Sequence, residues 1–296
     1  MSAPRVCCLG EVMWDFHGEA GAPLETASTY RRVPGGAAAN VAIALAEAGV
    51  ATAVAGVVAD DAFGAGMKRV LGECGLDVSA VRTADGRTGL VFIQGTSAGR
   101  YLSYRPGFSS TTRLRLPDAW RRVPAGALLH VASLDPDWLE PDVYLALGRR
   151  VSEGGGRLSV DVNARPRAWR TRRGIPRAMR SVLRLAHVVK VSTEDLAMLR
   201  VDDEPRRARD RLGIGGTLVV TDGSRPTRAV GPWGTSALPP PRVKPKRTVG
   251  AGDAFCAGMI ARLVEESDLA SERAWTRCLK GGQVQARRWL AGGCPS

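Results

Sequence analysis

Thr248-Val249-Gly250-Ala251-Gly252-Asp253-Ala254-Phe255 is the stretch whose residue types and spacing point most directly to chemistry. Two glycines bracketing one alanine let the main chain bring N–H groups close to a ligand. The residues that follow, Ala254–Val264, are nearly all apolar and read as a helix buried on most sides. A helix start offers unpaired N–H donors and favours negative charge. Asp253 at that point has two readings. Alone it is a helix cap. In front of a helix too apolar for the surface, it faces an interior cleft. A carboxylate beside an anion cradle suits proton removal from a hydroxyl during phosphoryl transfer.

Other chemistries find no support. There is no GxxxxGK[ST], and Gly250-Ala251-Gly252 does not continue into a dinucleotide fingerprint. HRD, DFG and HExxH are absent, and His17, His130 and His187 lack metal-ligand spacing, so each reads as structural. Cysteines 7, 8, 74, 256, 278 and 294 form no CxxC pair and read as free, mostly buried thiols of a reducing cytoplasm. No secretory leader is visible at the N-terminus. Val41–Ala59 is apolar but contains Glu47, and reads as a buried helix and strand rather than a membrane span.

The elements that must position the glycine loop alternate. Strands are expected at Val6–Val12, Ala51–Val58, Leu128–Val131, Arg157–Val162, His187–Val191 and Thr217–Thr221. Helices are expected at Gly36–Ala48, Ala62–Gly72, Asp142–Val151, Pro176–Leu183, Glu194–Leu199, Ala254–Val264 and Ala270–Leu290. Thr88–Gln94 and Arg100–Arg105 read as a hairpin, a small β element inserted into an α/β chain. The alternation predicts a parallel sheet with helices on both faces, and ligands in such sheets bind at the carboxyl ends of the strands. The chain has 296 residues, 44% hydrophobic, which is ample for a large core. Its net charge of +13 comes from scattered arginines without a long basic run, and aromatics are only 5%. That pattern argues against nucleic acid and suits a basic surface or a small anionic substrate.

Two motifs carry a resemblance to a known family. One is Val249–Phe255; the other, far upstream, is Pro34-Gly35-Gly36-Ala37-Ala38-Ala39-Asn40-Val41-Ala42. Between them lie Gly10-Glu11 with Asp15, Asp60-Asp61-Ala62-Phe63-Gly64, Tyr104-Arg105-Pro106-Gly107, Asp161-Val162-Asn163-Ala164-Arg165-Pro166, Lys190-Val191-Ser192 and Thr221-Asp222-Gly223. In order and spacing these pieces resemble the PfkB family of carbohydrate kinases, also called ribokinase-like, over nearly the whole chain. The resemblance implies an α/β fold with a mostly parallel central sheet flanked by helices. It implies one kinase domain over residues 1–296, with a β lid from segments near 12–34 and 87–110.

The resemblance also implies roles. Asp253 would be the general base toward a sugar hydroxyl, with main-chain N–H groups of Gly250, Ala251, Gly252 and Asp253 as the anion hole. Asp15, Gly35, Gly36 and Asn40 would hold the sugar, the glycine pair letting the backbone approach the ring. Tyr104, with Tyr101, would cover the sugar from the lid, and Arg105 and Arg165 would grip it. Arginines at these places meet an acid sugar in 2-keto-3-deoxygluconate kinases and occur with neutral sugars in fructokinases. Lys190, Thr221 and Gly223 would line the ATP side. Glu194 or Asp195 would orient Mg²⁺ through water; a capped helix start is the plainer reading of both. Many relatives carry an Asp at the position of Arg247 that helps bind a monovalent cation. A guanidinium cannot ligate one, so weak or no K⁺ dependence is expected. The partners implied are a sugar and ATP, with no nucleic acid, no membrane, and a homodimer through the lid as a common arrangement. Two alternatives stand beside a sugar kinase. A nucleoside kinase would need an aromatic slot for the base, and aromatics are sparse near the motifs. A catalytically silent regulator is disfavoured by the retained Asp253 and full glycine loop.

Overall fold

The computed structural model of the chain describes residues 3–19, 22–94, 101–104, 125–135, 141–164, 175 and 177–293. Its first half runs β1 (Val6–Leu9), β2 (Met13–Gly18), β3 (Tyr30–Gly35), α1 (Ala37–Glu47), β4 (Thr52–Ala59), α2 (Ala62–Glu73), β5 (Asp77–Ala84), β6 (Leu90–Ile93), β7 (Tyr101–Tyr104), β8 (Leu128–Val131) and α3 (Pro141–Glu153). Then come β9 (Arg157–Asp161), α4 (Arg177–Leu185), β10 (Val188–Ser192), α5 (Thr193–Leu199), α6 (Pro205–Leu212), β11 (Thr217–Thr221), β12 (Thr227–Gly231), β13 (Gly234–Leu238), α7 (Ala251–Leu263) and α8 (Glu272–Leu290).

Nine strands form one sheet in the order β13-β12-β11-β10-β9-β8-β1-β4-β5. From β11 to β5 every neighbouring pair is parallel, and β12 and β13 add an antiparallel hairpin at one edge. The chain builds outward from β1 through β4 and β5, then from β8 through β11 on the other side. The order therefore reverses between β1 and β8, the place where open α/β sheets form a crevice at their carboxyl ends. A second sheet, β3-β2-β6-β7, stands over that end.

Residues alternate between the faces along each buried strand. Cys7 and Leu9 join the core under α3, α4, α5 and α6. Val6 and Cys8 join the core under α1, α2, α7 and α8. Cys7, Cys8, Cys256 and Cys278 are buried free thiols, as expected, and Cys74 is half-buried. Val41–Ala59 is the helix and strand that its glutamate suggested, and no helix among the described residues is long and apolar enough to cross a membrane.

Several elements differ from the sequence reading. The apolar run Val6–Val12 stops as a strand at Leu9, because the chain leaves the large sheet at Gly10-Glu11 to enter β2 of the small one. β5, the β12–β13 hairpin and α6 were not expected. α6 has only Ala208 and Leu212 buried among charged residues, so no apolar stripe announces it. Its punctuation does: Glu204 accepts the N–H groups of Arg206 and Arg207, Pro205 opens the helix, and Gly213 closes it in the left-handed conformation.

Candidate active site

Thr248-Val249-Gly250-Ala251 closes on itself, with the Ala251 N–H donating to the Thr248 carbonyl at 3.2 Å. Gly250, third in the turn, has φ 85° and ψ −2°. These are the angles of a type II turn, which favours glycine there. The turn delivers α7, and Asp253 lies in its first turn. The start of α1 points at the same spot. Asn40, one turn into α1, donates from Nδ2 to Asp253 Oδ2 at 2.8 Å. Two helix N-termini thus flank one carboxylate and favour its charge.

Asp15 comes from β2, where it pairs with Val33 of β3. A β-carbon on Gly35 would lie 2.2 Å from the Asp15 carboxyl carbon, so glycine is required for the carboxylate to fit. Gly35 thus makes room for Asp15, while Gly36, the other half of the pair, lines the cavity described below. Burial, and then the charge of Asp253, raise the Asp15 pKa to about 7.

Asp161 and Lys190 face each other across neighbouring strands, with Nζ 3.1 Å from Oδ2 and both side chains buried. Burial opposes the lysine charge, but Asp161, with Asp195 and Cys256 nearby, overrides it and keeps the ammonium protonated. Burial, only partly offset by Lys190, lifts Asp161 to about 6. Asp161 Oδ1 is buried without a hydrogen-bond partner among the described residues. Such a pair contributes little net stability, and the second oxygen is left to a group outside the protein, water included.

Two cavities meet at the first turn of α7. The larger, about 260 Å³, is lined by Asp15, Gly36, Asn40, Lys190, Gly250, Gly252 and Asp253, together with Glu11, Met13, Val91, Ile93, Asp161 and Asn163. The smaller, about 150 Å³, is lined by Thr221, Gly223, Ala251, Phe255, Gln283, Arg287 and a wall of Pro240, Pro241, Val243 and Leu290. Gly252 lines both. The crevice at the strand ends was foreseen; Glu11, Asp161 and Asn163 were not singled out as site residues. Asn163 carried a readable signal: it follows the end of β9 in a quoted motif, and it holds φ 41°, a strained value of the kind that gathers at active sites.

The structure moves other expected residues. Lys190 lines the larger cavity with Asp161, not the smaller one with Thr221 and Gly223, because its register places it beside Asp161. The Ala251 N–H, expected in the anion hole, donates to the Thr248 carbonyl within the turn. Asp195 is a cap: Oδ2 accepts the Ser192 N–H and Oδ1 the Ala164 N–H, both at 2.7 Å. Glu194 beside it is exposed. No cluster of three or more His, Cys, Asp or Glu able to hold a metal occurs among the described residues. Tyr104 lies on β7 opposite Leu90; Arg105 and Arg165 lie outside the described residues. Arg247 is held against the end of α8. Its Nε donates to the Trp289 carbonyl at 3.0 Å and its guanidinium stacks 3.6 Å from the Trp289 ring.

Comparison with known proteins gives a consistent picture. A model of the pfkB family of carbohydrate kinases matches residues 3–278. A fructokinase of Klebsiella pneumoniae is 32% identical over 237 residues, 78% of this chain and 76% of that one. An aminoimidazole riboside kinase of Salmonella typhimurium is 29% identical over 245 residues, 81% of this chain and 76% of the other. Among solved structures, the fructokinase from Vibrio cholerae in its fructose, ADP and calcium ion bound form superposes with a TM-score of 0.77 at 25% identity, covering 98% of this chain and 94% of that one.

The Asp15 environment makes a stability prediction. Its folded pKa of about 7 lies above the unfolded value. The folded state therefore keeps a proton that the unfolded chain has released from about pH 4 upward. Stability falls as pH rises through that window, and the loss is complete above the folded value. Asp15→Asn removes the penalty. At pH 8 the melting temperature should rise by roughly 3–6 °C, and the gain should shrink as pH is lowered towards 4. Calorimetry across that range checks it; a gain independent of pH would contradict the strained-carboxylate account.

Proposed function

The chain belongs to the pfkB family of carbohydrate kinases and is an ATP-dependent sugar kinase; on that premise we propose that its acceptor is a sugar or acid sugar of the fructose or 2-keto-3-deoxygluconate type, with Asp253 as the general base. The observation that carries this reading is the shared wall at Gly252, with Asp253 on the side of the larger cavity. The acceptor would occupy the larger cavity and the nucleotide the smaller one. Asp15, Asn40 and Asn163 offer polar groups for hydroxyls, and no aromatic residue lines that cavity among the described residues. That favours a sugar over a nucleoside, although a riboside kinase is among the relatives.

Asn40 orients the Asp253 carboxylate by donating from Nδ2 to Oδ2 at 2.8 Å, and the carboxylate would meet the acceptor hydroxyl in that orientation. As the hydroxyl oxygen bonds to the γ-phosphorus, its proton passes to Asp253 and the bond to the β-phosphate oxygen breaks, releasing ADP. N–H groups of Gly250, Gly252 and Asp253 at the start of α7 would stabilise the transferring group. Lys190 Nζ, 3.2 Å from the place of a β-carbon on Gly252, would supply positive charge there. The proline and leucine wall of the smaller cavity suits a base ring, and Thr221 and Gly223 line the same cavity. Magnesium would arrive on the phosphates with most of its shell as water. Glu194 remains available to reach that water, whereas both Asp195 oxygens already accept main-chain donors.

Four experiments test the reading. Purified protein with ATP, Mg²⁺ and a panel of sugars and sugar acids, assayed for ADP, identifies the acceptor. With that acceptor, Asp253→Asn should lower kcat by about 10²–10⁴-fold and leave ADP affinity unchanged. Near-native turnover would remove Asp253 from the mechanism.

Arg105→Ala and Arg165→Ala should each raise the acceptor KM roughly tenfold or more, with little change in the ATP KM, and an acid sugar should suffer more than a neutral one. Small, equal effects on both substrates would sink the assignment.

Initial rates in potassium chloride and tetramethylammonium chloride at equal ionic strength should agree, because Arg247 stands where a cation-binding acid would. Saturable activation by K⁺ would show that a cation site survives.

A further inference from the structure

The segment that leads into the glycine turn is bolted to the end of α8. The Lys246 N–H donates to the Leu290 carbonyl at 2.7 Å. Arg247 Nε donates to the Trp289 carbonyl and Nη2 to the Gly293 carbonyl. The same guanidinium lies 3.6 Å from the centre of the Trp289 ring, well within cation–π range. Trp289 in turn reaches the glycine turn itself. Its Nε1 donates to the Val249 carbonyl at 2.7 Å, and its ring edge stands 2.8 Å from where a β-carbon on Gly250 would sit.

Val249 and Gly250 are the two central residues of the type II turn, and the peptide between them is the part of the turn that can be in error. Types I and II differ chiefly by a half-rotation of this central peptide. In a planar trans peptide the carbonyl and the N–H point opposite ways. Holding the Val249 carbonyl toward α8 therefore directs the Gly250 N–H away from α8, toward the cavity that Gly250 lines. The flipped peptide would present a carbonyl to that cavity instead, and repel an anion.

We propose that Trp289 is a positioning residue for phosphoryl transfer: its indole N–H holds the Val249–Gly250 peptide so that the Gly250 N–H faces the transferring group, and Arg247 holds the indole. This rests on the reading of the α7 start as the anion hole. It predicts a loss in the transition state rather than in substrate binding.

The test uses the full chain and the conservative variant Trp289→Phe, which keeps a ring against Gly250 and removes the N–H. Trp275→Phe is the control. Trp275 is a buried indole on the same helix whose Nε1 donates to the Leu269 carbonyl at 2.8 Å, far from the turn. Steady-state kinetics are measured with ATP and the acceptor found for the native protein, and calorimetry follows ADP with Mg²⁺, with and without aluminium fluoride as a mimic of the transferring group. Trp289→Phe should lower kcat about 10–100-fold, with both KM values within about twofold. Its ADP affinity should be native, and the tightening by aluminium fluoride should shrink by a similar factor. Trp275→Phe should keep native kcat even if it melts earlier. Arg247→Ala should have a smaller effect that adds nothing to that of Trp289→Phe in the double variant. Native kcat in Trp289→Phe, an equal kcat loss in Trp275→Phe, or native aluminium fluoride tightening in Trp289→Phe would each overturn the proposal. Native protein that binds ADP no more tightly with aluminium fluoride would remove the anion hole itself, and the positioning role with it.

Discussion

The hydrogen bond from Asn40 to Asp253 spans 213 positions of sequence, and the architecture is arranged around bringing its two helices nose to nose. α1 and α7 pack in the same core on one face of the nine-stranded sheet. α1 can start where it does only because β3 returns from the small sheet and hands the chain over at Gly36. α7 can start where it does only because the type II turn redirects the chain at Gly250. Each helix alone is an ordinary amphipathic or buried segment. Their N-termini converge on the crevice at the strand ends, where Asn40 orients the Asp253 carboxylate.

The same crevice concentrates negative charge at a cost. Asp15, Asp161 and Asp253 all line one cavity, and burial lifts the first two above the ordinary carboxylate range. Lys190 is a buried cation that partly offsets Asp161, drawn in through its register with it. A core of well-packed apolar side chains would be more stable here than this arrangement. On the function proposed above, the arrangement is preorganisation: oriented acceptors for hydroxyl groups, and a cation already desolvated where phosphoryl oxygens would arrive. The +13 charge of the whole chain acts in the same direction, favouring the approach of an anionic nucleotide to a site whose own carboxylates would repel it.

Much of this was legible in the sequence because it is written in local patterns. Apolar runs at period two and three to four gave the alternation of strands and helices, and the glycines around Ala251 gave the turn. Asp253 and Asn40 were recognisable by their motifs, though their contact was not. What escaped depends on pairing between distant residues. The close approach of the Asp15 carboxylate to Gly35 comes from across the hairpin. The place of Lys190 is set by its register against β9, and the work of Asp195 by donors at Ser192 and Ala164. Arg247 was read only against the cation-binding Asp of relatives, and its contact with Trp289 became visible when the fold brought α8 beside it. α6 escaped for a different reason: with two buried residues it has no stripe, and only its ends speak.

The hairpin of β2 and β3 is a lever as well as a wall. Asp15 sits on one arm, and the other arm runs without interruption into the start of α1, which carries Asn40. Both causes of the high Asp15 pKa, burial and the charge of Asp253, depend on the small sheet being docked where it is. Any displacement that exposed the Asp15 carboxylate would lower its pKa, and the free energy of that displacement would depend on pH.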